Sequence, residues 1–334
     1  MQDQSKKPEE EKNIDETIDQ ALKELAELQS KVEDSEDLEF IRKQANLFAE
    51  LGLLYIKKNL NSKARDYLMA ALRNFIKMED KVAIASTQGS LGSMYLNNGD
   101  YITAKSFFTE AYSYWKDAPY LNERIAVLNS LGICELNLGN EEEGVDKILK
   151  AVSIAAKLRD DAEFLFSIEI LLRYFEEKKD YDVLRELKYK ALDYWKQDSK
   201  FILRNYKTLI DIGVLSQVLD DYEEALKRFK EAFNIALEIG DFQCAYLAQG
   251  FIGETYISLK EIEKAKETYL NAYMIALIID PESDKEDTEE AEQMKAALIM
   301  LGVSPDIIHE KKKEALEEKK KLKKELQDAK RKNQ

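Results

Sequence analysis

Side chains that could carry out catalysis or bind a metal are few and scattered in this sequence. His309 is the only histidine among 334 residues. No second histidine or cysteine accompanies it at ligand spacing, whereas a zinc site needs about four such ligands. The two cysteines, Cys134 and Cys244, have no histidine in their own segments to act as a base. The sequence therefore predicts no metal site, no catalytic residue and buried, hydrophobe-like roles for both cysteines.

Glycines and carboxylates also lack the arrangement that chemistry requires. The glycines stand singly rather than in the cluster that cradles a phosphate, so no cofactor site is predicted. The acidic run Glu141-Glu142-Glu143 is typical of a solvated helix face rather than of an acid–base pair in a shielded pocket. Trp115 and Trp195 occupy equivalent positions 80 residues apart, and we expect both to pack in the core. We therefore predict a protein that is not an enzyme.

One pattern recurs six times, at spacings of 40, 40, 40, 41 and 40 residues. Each copy has a small or apolar pair, then an aromatic or its substitute, an alanine-like position, a bulky residue and a final alanine. The clearest copy comprises Leu91-Gly92, Tyr95, Ala104, Phe108 and Ala111, and the others begin at Leu51, Leu131, Leu171, Ile212 and Ile252. A fixed period of this length is the signature of a repeat solenoid.

Each repeat is predicted to be two helices joined by a turn. Gly92 and its equivalents stand in helical surroundings, where glycine is less favourable than alanine by roughly 1 kcal/mol. Their recurrence indicates close approach of the two helices. Turn residues such as Asn97-Asn98-Gly99-Asp100 separate the helices, and Asp80, Asp160 and Asp241 are expected to cap the helices that come next. No segment alternates as a strand does, so the fold class is all-α.

The order and offsets of these positions resemble the tetratricopeptide repeat over residues 44–280. The unit is six residues longer than the usual 34, as in the long-helix branch of kinesin light chains, spindle adaptors and bacterial peptide sensors. The resemblance implies a right-handed superhelical solenoid of six helix-turn-helix repeats. The fourth repeat departs from the pattern, with Leu172 for the glycine and Lys188 for the bulky residue.

The resemblance further implies that the first helix of each repeat lines a concave groove. Read onto this chain, the partner-binding residues would be Ser93, Asn97, Asn129, Asn137, Arg173 and Lys207. Asparagine can bond both the N–H and the C=O of a peptide backbone. For Asn97 and Asn137, a role in favouring the adjacent turns stands as the alternative. The lysine and asparagine clamp of chaperone-binding relatives is absent, because Ala49 and Leu53 occupy those positions.

The two ends of the chain are expected to cover the solenoid. The predicted organisation is an acidic segment with a capping helix at 1–40, six repeats at 41–280, a linker and C-terminal capping helix at 281–303, and a charged, net basic helical tail at 304–334. The apolar stripe of the first segment comprises Ile14, Ile18, Ala21, Leu25, Leu28 and Val32. Its spacing fits a cap on the first repeat or, alternatively, a short coiled-coil dimerisation helix.

The tail is the one basic part of an acidic chain. Residues 310–334 hold 11 basic and 6 acidic residues, a net charge of +5, whereas the whole chain carries −15. We expect a solvated tail; the alternatives are a contact for an acidic partner or a lid on the solenoid. Such an acidic protein is a poor general binder of nucleic acid.

The leading functional hypothesis is a non-catalytic adaptor that binds a peptide or helix of another protein in its concave groove. The alternatives are a peptide-sensing regulator and an accessory subunit of an enzyme complex. No apolar run approaches the 18 residues of a membrane span, and the first residues lack the stretch of a signal peptide. A cytoplasmic protein with a protein or peptide partner, and without a membrane or nucleic-acid partner, is therefore expected. The oligomeric state is left open.

Overall fold

The structure, a computed structural model, describes residues 6–30, 37–283 and 288–332. Over these residues the chain is helical, without a strand, which confirms the all-α prediction. The helices are α1 (Lys6–Ser30), α2 (Leu38–Lys57), α3 (Asn61–Lys77), α4 (Lys81–Asn97), α5 (Tyr101–Trp115), α6 (Leu121–Asn137), α7 (Glu141–Leu158), α8 (Asp161–Lys178), α9 (Tyr181–Trp195), α10 (Ile202–Val218), α11 (Tyr222–Glu238), α12 (Phe242–Ser258), α13 (Ile262–Ile278), α14 (Glu289–Met300) and α15 (Pro305–Lys332). A short 3-10 turn, Ser199–Phe201, precedes α10.

Helices α2 to α13 form six consecutive pairs, one for each copy of the sequence pattern. The predicted all-α repeat solenoid is therefore confirmed. The chain divides into two compact units, Met1–Leu171 and Leu172–Gln334, and the division falls within α8. None of the described helices combines the length and the apolar character needed to cross a bilayer.

Aspartates begin many of the helices, as the sequence predicts. Asp80, Asp160 and Asp241 accept hydrogen bonds from the backbone N–H three residues ahead, at 3.1, 3.1 and 2.9 Å. Each bond satisfies one of the donors that a helix leaves unpaired at its first turn, which typically stabilises the helix by about 1 kcal/mol. The predicted caps are confirmed, and they fix the residue at which each of these helices starts.

Most of the turns between helices pass through the left-handed backbone region. Gly99 and Gly139 adopt φ of +75° and +85°, where glycine meets no Cβ penalty. Equivalent turn positions elsewhere carry other residues, Lys179 and Asp220 among them, with φ of +58° and +59°. The backbone N–H of Asp180 and of Asp221 then bonds the carbonyl five residues back, which is the hydrogen bond of a Schellman motif.

Close packing within five of the six repeats depends on a glycine and a large residue 16 positions later. A Cβ built on any of these glycines would come within 3.0 Å of the large side chain. The pairs are Gly52–Leu68, Gly92–Phe108, Gly132–Ile148, Gly213–Phe229 and Gly253–Tyr269. The five glycines are called the repeat glycines below, and the residues opposite them the facing residues. The close approach that the sequence indicates is confirmed, since even one methyl group on the glycine would displace its partner.

Helix α1 packs against the first repeat of the first unit. Ile18, Ala21 and Leu25 are buried in one cluster with Leu51 and Leu54 of α2. Lys58, which comes directly after α2, pairs with Asp15 of α1. The apolar stripe is therefore covered within the chain, as in a cap; its last predicted residue, Val32, lies outside the described residues, as do residues 284–287 of the acidic linker.

Helices α14 and α15 cover the last repeat of the second unit. Leu298 of α14 and Ile308 and Ala315 of α15 are buried with Tyr273 and Leu277 of α13. The expectation of a solvated tail is therefore wrong for the first half of α15. The apolar face of α15 is narrow, with one isoleucine, an alanine and the stems of lysines. It is enough to dock the helix because lysine can bury its methylenes. From residue 324 to residue 331 the helix is exposed.

Candidate partner-binding groove

A groove in the first unit is lined by the first helices of three successive repeats. Its volume is about 370 Å³, which lies in the range typical of ligand pockets. Its apolar floor includes Leu53 and Ile56 of α2 together with Phe108. The walls come from small side chains of two further helices. These are Ala85, Ser86, Gly89, Ser90 and Ser93 of α4 and Ala126, Val127 and Ser130 of α6.

The groove is almost uncharged, in a chain in which 34% of residues are charged. Among its described lining residues, Glu123 is the one ionisable side chain. The hydroxyls of Ser90, Ser93 and Ser130 donate to carbonyls one helical turn back, at 3.1, 3.0 and 2.8 Å. Each hydroxyl oxygen keeps a lone pair, so the walls present hydrogen-bond acceptors to whatever enters.

Gly89 differs from the repeat glycines because packing does not explain it. It lies within α4, and a Cβ built on it would meet no atom within 4 Å. A helical glycine costs stability, and here the cost is not offset by close helix approach. What the missing side chain leaves is open space in the groove wall, at a point where a partner's backbone could approach closely.

The predicted groove residues have different surroundings. Ser93 lines the groove. Asn97 and Asn137 are exposed and end α4 and α6, and the amide of Asn137 donates to the Ile133 carbonyl at 2.8 Å. That bond agrees with the alternative role of Asn137 at the turn.

Asn129 is not available to a partner, which corrects its assignment to the groove. Its side chain is 1% exposed and donates to the Ser167 hydroxyl of α8 at 2.8 Å. At 100° of rotation per residue, Ala126 and Ser130 face the groove while Asn129 turns towards the next first helix. It serves to join two neighbouring repeats.

In the second unit, Arg173 of α8 and Lys207 of α10 are both exposed. Around Lys207 the face of α10 is apolar, because Leu203, Val214 and Val218 are 36–52% exposed. Leu247 and Ile257 continue this apolar face on α12. Two hydrogen bonds of 2.8 Å hold α10 beside α12, from Gln217 to Thr255 and from Tyr206 to the Cys244 carbonyl.

Sequence reasoning missed most of this apolar face. In a helical repeat, an isolated leucine such as Leu203 or Leu247 is normally assigned to the core. The register of the repeats could have revealed it. Leu203 and Leu247 align with Val82 and Ser86 of the second repeat, and both of these residues are exposed. Exposed apolar side chains grouped on one surface are typical of a protein-binding site.

A buried carboxylate replaces the repeat's aromatic residue in the third repeat. Glu135 is 0% exposed and accepts from Lys105 at 2.9 Å and from Asn140 at 2.9 Å. Burial by itself would raise the pKa of Glu135, but these hydrogen bonds and the charges of Lys105 and Lys147 hold it below its ordinary value. The charge is satisfied inside the protein, so Glu135 is a packing residue and not a reactive acid.

The two cysteines differ, because Cys244 is only partly buried, which corrects the prediction for it, whereas Cys134 is fully buried. Cys134 is buried, and burial raises the pKa of its thiol to about 11, so the thiol is protonated at neutral pH and a poor nucleophile. Trp115 and Trp195 are buried, as predicted. His309 is exposed, and the described residues contain no group of three or more potential metal ligands.

Comparison with known families agrees with this architecture. The tetratricopeptide repeat model matches residues 85–114, over α4 and α5, and residues 247–277, over α12 and α13. The chain contains tetratricopeptide repeats. A second model, anaphase-promoting complex subunit 5, matches residues 161–253. A comparison with curated proteins gives no match.

Several solved structures are similar to this tetratricopeptide-repeat chain. BtubC from P. vanneervenii is 16% identical, with a TM-score of 0.49 over 68% of this chain and 92% of its own. A putative kinesin light chain repeat protein of Podosopora anserina is 16% identical, with a TM-score of 0.44 over 59% and 97%. The apo form of RapI is 15% identical, with a TM-score of 0.45 over 84% and 99%. Identities and TM-scores at this level assign neither partner nor activity to the chain.

Proposed function

We propose that this protein is a non-catalytic adaptor that binds an extended segment of another protein in the groove of its first unit. The observation that carries the proposal is Gly89, a helical glycine in open space among small, uncharged groove residues. Tetratricopeptide and related solenoids use extended concave surfaces of this kind for binding. The serine oxygens of the walls suit the backbone N–H groups of an extended peptide, and Leu53 and Ile56 suit its apolar side chains.

The groove favours a neutral or apolar segment over an acidic one. A carboxylate entering it would approach Glu123 and find no basic partner among the described lining residues. Desolvating an unpaired carboxylate is unfavourable, so the groove selects against acidic stretches. The apolar face of α10 and α12 favours the same class of partner in the second unit.

The alternatives from the sequence differ in the consequence of binding. A peptide-sensing regulator and an accessory subunit of an enzyme complex would both use such a groove. The adaptor proposal requires only that the bound segment is held, with no chemical step.

Substitution of Gly89 tests the proposal without damaging the core. Partners are first captured by cross-linking in the native cell and identified by mass spectrometry, and their affinity is then measured with purified protein. Gly89→Leu fills the groove, and because it replaces glycine in a helix it should stabilise the fold by about 0.5–1 kcal/mol. We expect it to weaken partner binding at least about tenfold, since the partner's backbone can no longer approach α4.

Gly89→Ala is the matched control. It gives a similar gain in helix stability but adds one methyl group, and it should leave affinity within about threefold of the original. A folded Gly89→Leu variant that binds as well as the Gly89→Ala variant would remove the partner from this groove.

A further inference from the structure

The fourth repeat lacks the pairing of a small and a large residue that lets the two helices of the other five repeats pack closely. Where the others have a repeat glycine and a large facing residue, it has Leu172 and Lys188. Lys188 is directed towards Asp211 of α10, with 2.6 Å between its Nζ and the Asp211 Oδ2. A flexible cation thus replaces the aromatic or aliphatic side chain that fills this position elsewhere.

A cavity of about 260 Å³ opens in the second unit at this position. Leu172, Leu184, Val214 and Leu215 form apolar walls, and Glu176 and Asp211 contribute carboxylates to its lining. The cavity is open to solvent, because Glu176 is exposed and the Asp211 side chain is 47% exposed.

The charges of the cavity do not balance. Its described lining holds two carboxylates, Glu176 and Asp211, and one ammonium, Lys188. The chain as a whole is also acidic. An entering cation would therefore find an attractive potential, while its aliphatic stem would contact the leucine and valine walls.

We propose that this cavity binds a basic side chain, arginine or lysine, of a partner polypeptide. The methylenes pack on Leu172 and Val214, and the cationic head pairs with Glu176 and Asp211 as a charge-assisted contact. The cavity would provide a second contact for the class of partner proposed above, and this inference rests on that proposal. It lies in the second unit, whereas the groove is built from residues of the first, so each can fail separately.

The test uses four capped peptides, acetyl-Ala-Ala-X-Ala-Ala-amide with arginine, lysine, norleucine or glutamate at X. Norleucine keeps the aliphatic stem and removes the charge. The full chain, labelled at leucine and valine methyls, is titrated with each peptide and followed by NMR. We expect the arginine and lysine peptides to shift the methyl signals of Leu172, Val214 and Leu215, and to bind about fivefold more tightly than norleucine, the upper end for a partly exposed ion pair.

Variants of the cavity sharpen the test. Asp211→Asn and Glu176→Gln should each weaken binding of the arginine peptide by about threefold to fivefold. Lys188→Met keeps the stem but removes the competing ammonium, so it should tighten binding by a similar factor. The double variant Leu172→Gly with Lys188→Phe restores the pattern of the other repeats and should abolish binding while the protein stays folded.

Three results would overturn the proposal. They are equal binding of the norleucine peptide, tighter binding of the glutamate peptide through Lys188, and unchanged methyl signals with every peptide at millimolar concentration. The Gly89 variants test the groove separately. If Gly89→Leu loses the native partner while no peptide shifts the cavity methyl signals, the groove proposal is supported and the cavity proposal is wrong.

Discussion

At the scale of single residues, five of the six repeats depend on a glycine that lets a large side chain approach its helix closely. Gly213 of α10 lies against the ring of Phe229, which is fully buried. Gly250 of α12 is also a helical glycine, but a Cβ there would meet nothing within 4 Å. Packing therefore requires a glycine at position 213 but not at position 250.

Alanine at these two glycines should change stability in opposite directions. Gly213→Ala forces a methyl group into the Phe229 ring, and overpacking of this kind typically costs about 1–3 kcal/mol. Gly250→Ala only removes the helical penalty of glycine and should gain about 0.5–1 kcal/mol. Urea unfolding of both variants measures the difference, and a loss of stability in Gly250→Ala would show that unoccupied space is not what surrounds this residue.

The buried Glu135 carboxylate should make stability depend on pH through its partner Lys105. Its lowered pKa stabilises the fold above 4.5, the ordinary glutamate value, and this contribution is lost as the pH falls through the folded-state pKa. In Lys105→Met, burial dominates and the pKa rises, so the variant should lose about 1–3 kcal/mol at neutral pH. The gap to the original protein should narrow as the pH falls towards 4.5, since protonation then relieves the buried charge.

Lys150 provides the matched control for Lys105. It pairs at 2.5 Å with Asp146, one helical turn away, and both side chains are more than half exposed. Lys150→Met should therefore cost no more than about 0.5 kcal/mol, with little dependence on pH. Chemical unfolding across the pH range compares the two; equal losses in both variants would mean that Glu135 is not shielded from water.

At the scale of elements, α15 combines a docked half and an exposed half in one helix. Ile308 and Ala315 are buried against α13, and Lys319 is 6% exposed. The far end is held by an exposed pair between Lys330 and Glu282 at 2.6 Å, a type of contact worth at most about 1 kcal/mol. The docked half therefore contributes most of the free energy that holds α15 in place, and it covers the buried apolar cluster of the last repeat.

Two truncations should separate the halves of α15. Removing 305–334 uncovers the apolar cluster on α13 and should destabilise the second unit by more than about 2 kcal/mol, because burial of a side chain such as Ile308 alone contributes about that much. Removing only 324–334 should leave stability nearly unchanged. Hydrogen exchange of α13 reports the result, and full protection of α13 after the longer truncation would restore the interpretation of a solvated tail.

At the scale of the whole molecule, stability should be distributed along the repeats. Local pairs such as α2 with α3 and α12 with α13 account for the packing within each unit, and the hydrogen bond between Asn129 and Ser167 joins successive first helices. In a repeat protein each unit contacts mainly its neighbours, so a defect at one end need not reach the other.

Matched core substitutions at the two ends test this independence. Leu25→Ala in α1 and Leu298→Ala in α14 each empty a buried site, at a typical cost of about 2–5 kcal/mol. We expect Leu25→Ala to reduce hydrogen-exchange protection in α2 and α3, and Leu298→Ala to reduce it in α13, each without a change at the opposite end. Equal loss of protection along the chain in either variant would indicate one cooperative core.

Much of the fold could be predicted from the sequence because its information is local and repeated. The spacing of Gly92 and Phe108, seen again at Gly253 and Tyr269, indicated the helix pairs, and Asp80 and its equivalents marked helix starts. The site was less predictable. Asn129 shares its register with Gly89 of the groove, but its amide bonds Ser167 on the next first helix and is buried there.

The chain's periodicity, composition and caps thus determined its helices, their pairing and their close contacts, since these depend on residues within about 40 positions of one another. Tertiary structure alone decided which polar residues face the groove, that Gly89 stands in open space, and that the fourth repeat contains a cavity beside Lys188 and Asp211. These features depend on how neighbouring helices are rotated and on which flexible side chain turns towards which partner. Residue type determines neither the rotation of a helix nor the partner of a flexible side chain, because both depend on the contacts that form when the helices pack.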